Sequence, residues 1–125
     1  MANTYFSSVK IKNWEKIKEE NNYFLNSHWE NKMKELKIGD KIILYITDKY
    51  QVIALYQIMK TAIKIDESLV IKIKPIRILE KPVNFRLYVD KLKLIKNVKK
   101  WGTYIQVPLR KLNNSDESLM LDVFN

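Results

Sequence analysis

The sequence contains no cysteine, a single histidine and only two glycines among its 125 residues. Without cysteine there is no disulfide, no thiolate metal site and no cysteine nucleophile. The single histidine, His28, excludes sites that need two imidazoles, and two glycines are too few for a glycine-rich phosphate loop. We therefore expect no metal and no cofactor.

Long apolar runs are also missing. No segment approaches the roughly 20 apolar residues that span a bilayer, and residues 1–14 lack the apolar centre of a signal peptide. We therefore expect a cytoplasmic protein without membrane contact. The length of 125 residues fits one domain, 1–125, and a content of 46% apolar and 30% charged residues is typical of a globular chain.

Positive charge is in excess and is concentrated in one part of the chain. The whole sequence has 23 basic and 14 acidic side chains, a net charge of +9. Residues 86–111 hold eight basic side chains and one acidic side chain, with Trp101 and Tyr104 among them. Lysine and arginine neutralise phosphates and aromatic rings stack on bases, so this +7 segment indicates nucleic-acid binding. The alternative is a solvated lysine-rich surface that reflects biased codon usage.

Groups that could carry out catalysis are sparse. His28 is the sole base for a nucleophilic triad, and its neighbour Ser27 fits a helix cap. The acidic residues of the predicted turns are scattered along the chain: Asp40, Asp48, Asp66, Glu67 and Asp90. Carboxylates are common in turns for local reasons, so the sequence favours neither a triad nor a metal enzyme.

Five segments are rich in apolar and β-branched residues and are predicted to be strands: 4–9, 42–46, 51–59, 68–79 and 101–107. The second and third of these are expected to form an antiparallel hairpin, and Glu80-Lys81-Pro82 is expected to end the fourth.

Capping residues predict short helices between and after these strands. Asn13 precedes a helix at 14–20, residues 27–30 form a capping box, Asn84 precedes a helix at 84–92, and Ser115 or Asp116 opens a C-terminal helix. Five or six mostly antiparallel strands with short helices predict an α+β domain built on a curled sheet or barrel.

Large aromatic side chains stand at the ends of predicted elements: Trp14, Tyr23, Trp29 and Trp101. Rings in such places either close the end of a barrel or line a pocket that stacks on a planar ligand. Core packing and a pocket for a flipped nucleobase both remain open on the residues alone.

Three parts of the sequence resemble the EVE domain family. Residues 36–45 (LKIGDKIILY) resemble its k-x-G-D-k-x-x-x-Y motif, residues 71–110 resemble its C-terminal half, and Asn13-Trp14 resembles the Asn-Trp pair after its first strand. Asn26 and Asn31 fall where many EVE domains carry asparagine. The resemblance covers about residues 4–122 and is to the archaeal and bacterial EVE proteins of the UPF0310 type.

EVE domains belong to the PUA-like superfamily with the YTH and ASCH domains. The resemblance therefore implies a PUA-like pseudo-barrel with a pocket for a modified base, as YTH relatives recognise methylated adenine in RNA and EVE domains are associated with modified cytosine in DNA. On this resemblance six residues are assigned to the pocket: Trp14, Tyr23, Asn26, Trp29, Tyr45 and Trp101. Five basic residues are assigned to phosphates: Lys10, Lys96, Lys99, Lys100 and Arg110.

The sequence departs from the family pattern at Tyr23-Phe24, where EVE domains have Trp-Gly, and at Val9-Lys10, where they have Thr-Asn. The expected function is a non-enzymatic reader of modified bases in DNA or RNA. The alternatives are a structural or interaction domain without a working pocket, and an RNA- or DNA-processing enzyme on an ASCH-like fold in which Lys10 is the residue to test.

Overall fold

The computed structural model describes residues 2–26, 29–105 and 108–125. It contains seven strands: β1 Thr4–Val9, β2 Asn22–Asn26, β3 Lys41–Ile46, β4 Gln51–Ile58, β5 Ile63–Ile65, β6 Ser68–Asn84 and β7 Leu109–Lys111. Three segments are α-helical: α1 Ile11–Glu20, α2 Glu30–Met33 and α3 Asn114–Leu121. Three further segments are 3₁₀-helical: Phe85–Leu87, Val98–Ile105 and Asp122–Phe124.

The strands form one curled sheet in the order β2-β6-β4-β3-β1-β7, with β5 paired to β6. β1 and β3 are parallel, and the other pairs are antiparallel. β6 is 17 residues long and joins β2 and β5 to the rest of the sheet, since its first part pairs with β2 and β5 and its later part with β4. The ladder between β4 and β6 shifts register twice, and such bulges bend a strand and increase its twist.

The sheet is covered on both faces, because neighbouring residues of its central strands point to opposite sides. Tyr5 and Leu44 belong to a first core, which also contains α1 residues Trp14 and Ile17. Their neighbours Phe6 and Tyr45 belong to a second core, which is covered by the segment 85–105 and by α3. This second core underlies the basic part of the chain.

Several local predictions are confirmed. β1 has the predicted bounds, and β3 and β4 form the predicted antiparallel hairpin. Asn84 caps the turn that follows β6, its side-chain oxygen accepting a hydrogen bond from the Arg86 amide at 2.9 Å. Gly39 lies in the predicted turn before β3 with a φ of +96°, a conformation that favours glycine.

The predicted break in the long strand is wrong. β6 continues through Glu80-Lys81-Pro82 to Asn84. Ile78 pairs with Ala54 and Val83 pairs with Val52, so residues 79–82 bulge out of the ladder with β4. Pro82 is tolerated at this bulge because no ladder hydrogen bond requires the N–H that proline lacks.

The predicted strand at 101–107 is also wrong. Residues Val98–Ile105 form two short 3₁₀ turns that meet at a kink at Lys100. The last strand is β7, and residues 106 and 107 lie outside the described part of the chain. Trp101, Tyr104 and Ile105 all pack on the second core. Trp101 and Tyr104 are three residues apart and therefore share one face of a 3₁₀ turn. The packing of this face on the second core overrides the β-rich composition of the segment.

Three strands, β2, β5 and β7, and two helix starts were not identified in the sequence. With these three strands the described residues form seven, above the predicted five or six. α1 begins at Ile11, so Asn13 lies inside it, and α3 is capped by Asn113 rather than by Ser115 or Asp116. The predicted helix at 84–92 is reduced to the 3₁₀ turn Phe85–Leu87. Residues 27 and 28 of the predicted capping box lie outside the described residues.

Candidate nucleic-acid interface

Two of the aromatic residues assigned to a pocket lie in the first core. Trp14 is 3% exposed and packs edge-on against Tyr56, with 6.2 Å between ring centroids. Tyr23 is fully buried, and its hydroxyl shares a hydrogen bond of 2.7 Å with the Ser7 hydroxyl. Burial raises the pKa of the Tyr23 phenol well above its ordinary value. These two rings therefore lie on the side of the sheet opposite Tyr45 and Trp101.

Two further residues assigned to the pocket lie near the β2 end of the sheet. Asn26 is the last residue of β2, where its backbone pairs with Ser68 of β6. Trp29 is half-buried at the start of α2. Trp29 does not line the cavity that the structure forms around Trp101, and the Asn26 side chain lies outside the described part of the chain.

Tyr45 and Trp101 come together at one cavity of about 380 Å³. Tyr45 lies near the end of β3, Tyr50 ends the β3–β4 turn, and Trp101 belongs to the 3₁₀ segment Val98–Ile105. Thr47 and Lys99 also line this cavity. Three aromatic side chains and a lysine thus surround a space within the range of small-ligand pockets.

The cavity wall is a chain of aromatic contacts that continues into the second core. Ring centroids are 5.8 Å apart for Tyr50 and Trp101, 5.9 Å for Phe85 and Trp101, and 4.9 Å for Tyr45 and Phe85. Phe85 is fully buried, so it supports both Tyr45 and Trp101 from behind. Tilted ring pairs at these distances are favourable, and they hold the cavity walls in place.

Arg86 connects the hairpin turn to the turn after β6. Its guanidinium carbon lies 5.1 Å from the centroid of the Tyr50 ring, a cation–π contact. The Tyr50 carbonyl accepts a hydrogen bond of 2.8 Å from the Phe85 amide. Tyr50 itself has a φ of 56°, the left-handed conformation that the tight turn requires. These contacts fix the position of the Tyr50 ring.

Tyr45 is a neutral polar group at the base of the cavity. It is 1% exposed, and burial raises its pKa to about 12, with a further increase from Tyr50 and an opposing effect of Arg86. The phenol therefore keeps its proton at neutral pH. It can donate one hydrogen bond and accept others.

Hydrogen bonds attach the segment that carries Trp101 to the sheet. The Ser8 hydroxyl donates to the Ile105 carbonyl at 2.6 Å, and Arg110 donates to the Tyr104 carbonyl at 2.6 Å. Arg110, which was assigned to a phosphate, is thus half-buried with one guanidinium nitrogen engaged in positioning this segment.

The remaining basic residues of the prediction are exposed. Lys96, Lys99 and Lys100 lie just before Trp101, and Lys99 lines its cavity. Lys10 precedes α1 and lines a smaller cavity of about 290 Å³. Thr47 lines both cavities, so the two lie next to each other at the β3–β4 turn.

Tyr50, Thr47 and Arg86 were missed in the sequence. The hairpin prediction already placed Tyr50 and Thr47 in a turn close to Tyr45. The contact of that turn with Trp101 and Phe85 depends on how the segment after β6 packs against the sheet. No local pattern encodes such a contact.

Among residues 2–26, 29–105 and 108–125, no group of three or more acidic or histidine side chains is arranged to hold a metal ion. No helix in the same ranges is long and apolar enough to cross a membrane.

No protein-family model matches the sequence. A UPF0310 protein of Pyrococcus abyssi is 28% identical to this chain over 129 aligned residues, which cover 86% of the chain and 89% of that protein. This match is low in identity, and it supports the fold family that the sequence motifs indicate.

Two solved structures have a similar fold. The YTH domain of Zygosaccharomyces rouxii MRB1, in complex with N6-methyladenosine RNA, matches with a TM-score of 0.70 at 11% identity and covers 98% of this chain and 87% of that domain. Human THYN1, in complex with 5-methylcytosine containing DNA, matches with a TM-score of 0.67 at 12% identity and covers 99% of this chain and 98% of that protein. The chain thus has a PUA-like fold, a curled mixed sheet with short helices, and the predicted fold class is confirmed.

Proposed function

We propose that this protein is a non-enzymatic nucleic-acid-binding domain of the EVE type that holds one modified base in the cavity between Tyr45, Tyr50 and Trp101. The observation that carries the proposal is this aromatic cavity within the most basic part of the chain, with Lys99 in its wall. We also propose that residues 1–125 form one domain that lies in the cytoplasm, without a cofactor and without membrane contact.

The cavity suits a planar base for two reasons. Aromatic faces stack on any base, and each stacking contact contributes about 1–3 kcal/mol. The neutral Tyr45 phenol offers a hydrogen bond to a base edge without a charge that would need a counterion. The described residues that line the cavity include no carboxylate to act as a general base, which supports binding rather than catalysis.

A methyl group on the base would add apolar surface to a largely apolar cavity. Burial of one such group contributes about 0.8 kcal/mol, or roughly a fourfold preference. A modified base is therefore favoured over the unmodified base even before any specific hydrogen bond is counted. The two fold neighbours, which are bound to methylated RNA and methylated DNA, support the same choice of ligand.

Lys96, Lys99 and Lys100 are proposed to hold the backbone phosphates on either side of the bound base. Such contacts position the strand and do not distinguish sequences. Lys10 is proposed to extend this track, because its cavity adjoins the first one at Thr47.

Binding to short DNA and RNA oligomers, modified and unmodified, at two salt concentrations tests the proposal. Trp101→Ala should weaken binding by roughly 5- to 150-fold through the loss of one stacking face, and Trp101→Phe should lose less. The double variant Lys99→Ala/Lys100→Ala should reduce the slope of log affinity against log salt by about 1.4–1.8. Lys64→Ala/Lys74→Ala is the matched control, because both lysines are exposed on β5 and β6.

Wild-type affinity in Trp101→Ala would exclude the cavity as the base site. Equal salt slopes for the two double-lysine variants would exclude the proposed phosphate contacts. If no modified oligomer binds better than its unmodified counterpart, the reader function is wrong and a general nucleic-acid binder is left.

A further inference from the structure

Trp101 also lines a second cavity, which is open to solvent and has a volume of about 520 Å³. This cavity is lined by Arg86, Leu87, Val98 and Asp90 as well. Arg86 is shared in the same way, since its guanidinium also lies over the Tyr50 ring of the base cavity. The two cavities are therefore neighbours with common walls.

The second cavity carries two exposed apolar side chains. Leu87 is 62% exposed and Val98 is 50% exposed. Single exposed apolar residues are common on protein surfaces, but two that share one cavity next to a stacking aromatic ring are a distinct feature. Leu87 follows the fully buried Phe85 in a capped turn. Val98 begins a 3₁₀ turn that a kink at Lys100 separates from the turn that carries Trp101.

The two charged residues that line this cavity, Arg86 and Asp90, balance each other, and the net positive charge comes from lysines beside the lining residues in the chain. Arg86, Lys91, Lys99 and Lys100 are exposed on the same segment, and Asp90 is the one acidic residue within 86–111. An apolar centre with a basic border fits a ligand that has stacked bases inside and phosphates outside. A purely apolar partner would leave these cations without counter-charges.

We propose that Leu87 and Val98 form an apolar wedge that enters the base stack of double-stranded DNA at the position vacated by the base bound near Trp101. This inference rests on the proposed function and specifies its ligand as a duplex. Removing a base from a duplex leaves a gap in the stack, and DNA-binding proteins fill such gaps with apolar side chains. A single-stranded ligand has bases that are already splayed and leaves no gap to fill.

The test compares the variant Leu87→Ser/Val98→Ser with the control Ile63→Ser/Ile65→Ser. The control residues are 58% and 50% exposed on β5, so the chemical change and the exposure are matched. The probe is a short DNA duplex with one central 5-methylcytosine, together with the same strand alone. Thermal denaturation of both variants establishes that they fold.

The wedge variant should lose about tenfold in affinity for the duplex and keep its affinity for the single strand. A mismatch opposite the 5-methylcytosine should restore most of the loss, because an unpaired base leaves the stack more easily. The fluorescence of a 2-aminopurine placed next to the modified base should rise when the wild type binds, and should rise less when Leu87→Ser/Val98→Ser binds. The control should behave as the wild type.

If Leu87→Ser/Val98→Ser loses affinity equally for the duplex and the single strand, or loses affinity for neither, the wedge proposal is wrong. The base cavity is tested separately with Trp101→Ala on the same probes. If Trp101→Ala binds weakly and the wedge variant binds normally, the wedge is wrong and the base site stands. If Trp101→Ala binds normally, the proposed function itself is wrong.

Discussion

Two fully buried tyrosines of the first core differ in what their hydroxyl groups contact. The Tyr23 hydroxyl is paired with the buried Ser7 hydroxyl at 2.7 Å. The Tyr56 hydroxyl is buried and has no hydrogen-bond partner among the described residues. A buried polar atom without a partner loses its hydration and gains nothing in return. Removing the Tyr56 hydroxyl and removing the Tyr23 hydroxyl should therefore have opposite effects on the free energy of unfolding.

Tyr56→Phe should leave the free energy of unfolding unchanged or raise it by about 1 kcal/mol, because the uncompensated hydroxyl is removed. Tyr23→Phe should lower it by about 1–3 kcal/mol, because Ser7 is left buried without its partner. Urea denaturation at neutral pH measures both. A Tyr56→Phe variant clearly less stable than the wild type would show that its hydroxyl is satisfied, for instance by a bound water.

The segment between β6 and β7 carries six of the 23 basic residues, and its described residues form no strand, so other contacts must hold it. Asp116 of α3 is buried, and its carboxylate accepts hydrogen bonds from the Lys93 amide at 2.8 Å and the Leu94 amide at 2.9 Å. The Asn113 side chain donates to the same carboxylate at 2.9 Å. α3 thus fixes the chain just before Lys96, Lys99 and Trp101.

Asp116→Asn should lower the free energy of unfolding by about 2–3 kcal/mol, because hydrogen bonds to a charged acceptor are lost and the new amide group faces a backbone donor. Hydrogen exchange of the Lys93 and Leu94 amides should become faster, and affinity for nucleic acid should fall with it. Glu80→Gln makes the same charge change at an exposed position of β6 and should alter none of these. Unchanged exchange at both amides would contradict the anchoring role of α3.

Across the whole molecule, buried tyrosines link stability to alkaline pH. Burial raises the pKa of Tyr45 and Tyr56 to about 12, and raises the pKa of Tyr23 further. The pKa of Tyr5 is raised by burial first and by the nearby Asp40 second. The folded protein therefore keeps protons that the unfolded chain releases near pH 10.

The contribution of these tyrosines to stability should be complete below about pH 10 and should decline as the pH rises towards 12. Each such tyrosine contributes a limiting slope of about 1.4 kcal/mol per pH unit. Urea denaturation between pH 8 and 12, with tyrosinate absorbance recorded in parallel, measures this. Tyr45→Phe should show a shallower decline. Full tyrosinate absorbance near pH 10 while the protein is still folded would contradict the raised pKa values.

Much of the fold could be predicted from the sequence because it is locally encoded. The β3–β4 hairpin follows from two apolar runs with a short turn, and the curled sheet follows from the number and spacing of strands. β2 was missed because NYFLN has no alternation of its own and is a strand through its pairing with β6. The 3₁₀ segment Val98–Ile105 was predicted as a strand because its composition fits both structures.

The sequence by itself determined that cysteine chemistry is absent, where the positive charge lies along the chain, and the class of the fold. Composition and local apolar pattern suffice for these, since each is a property of single residues or of short segments. The tertiary structure decided which aromatic rings are buried and which line the cavity: Trp14 and Tyr23 pack in the first core, whereas Tyr45, Tyr50 and Trp101 meet at one site. The reason is that such a meeting depends on contacts between segments distant in the chain, and an aromatic ring has the same local signal in either place.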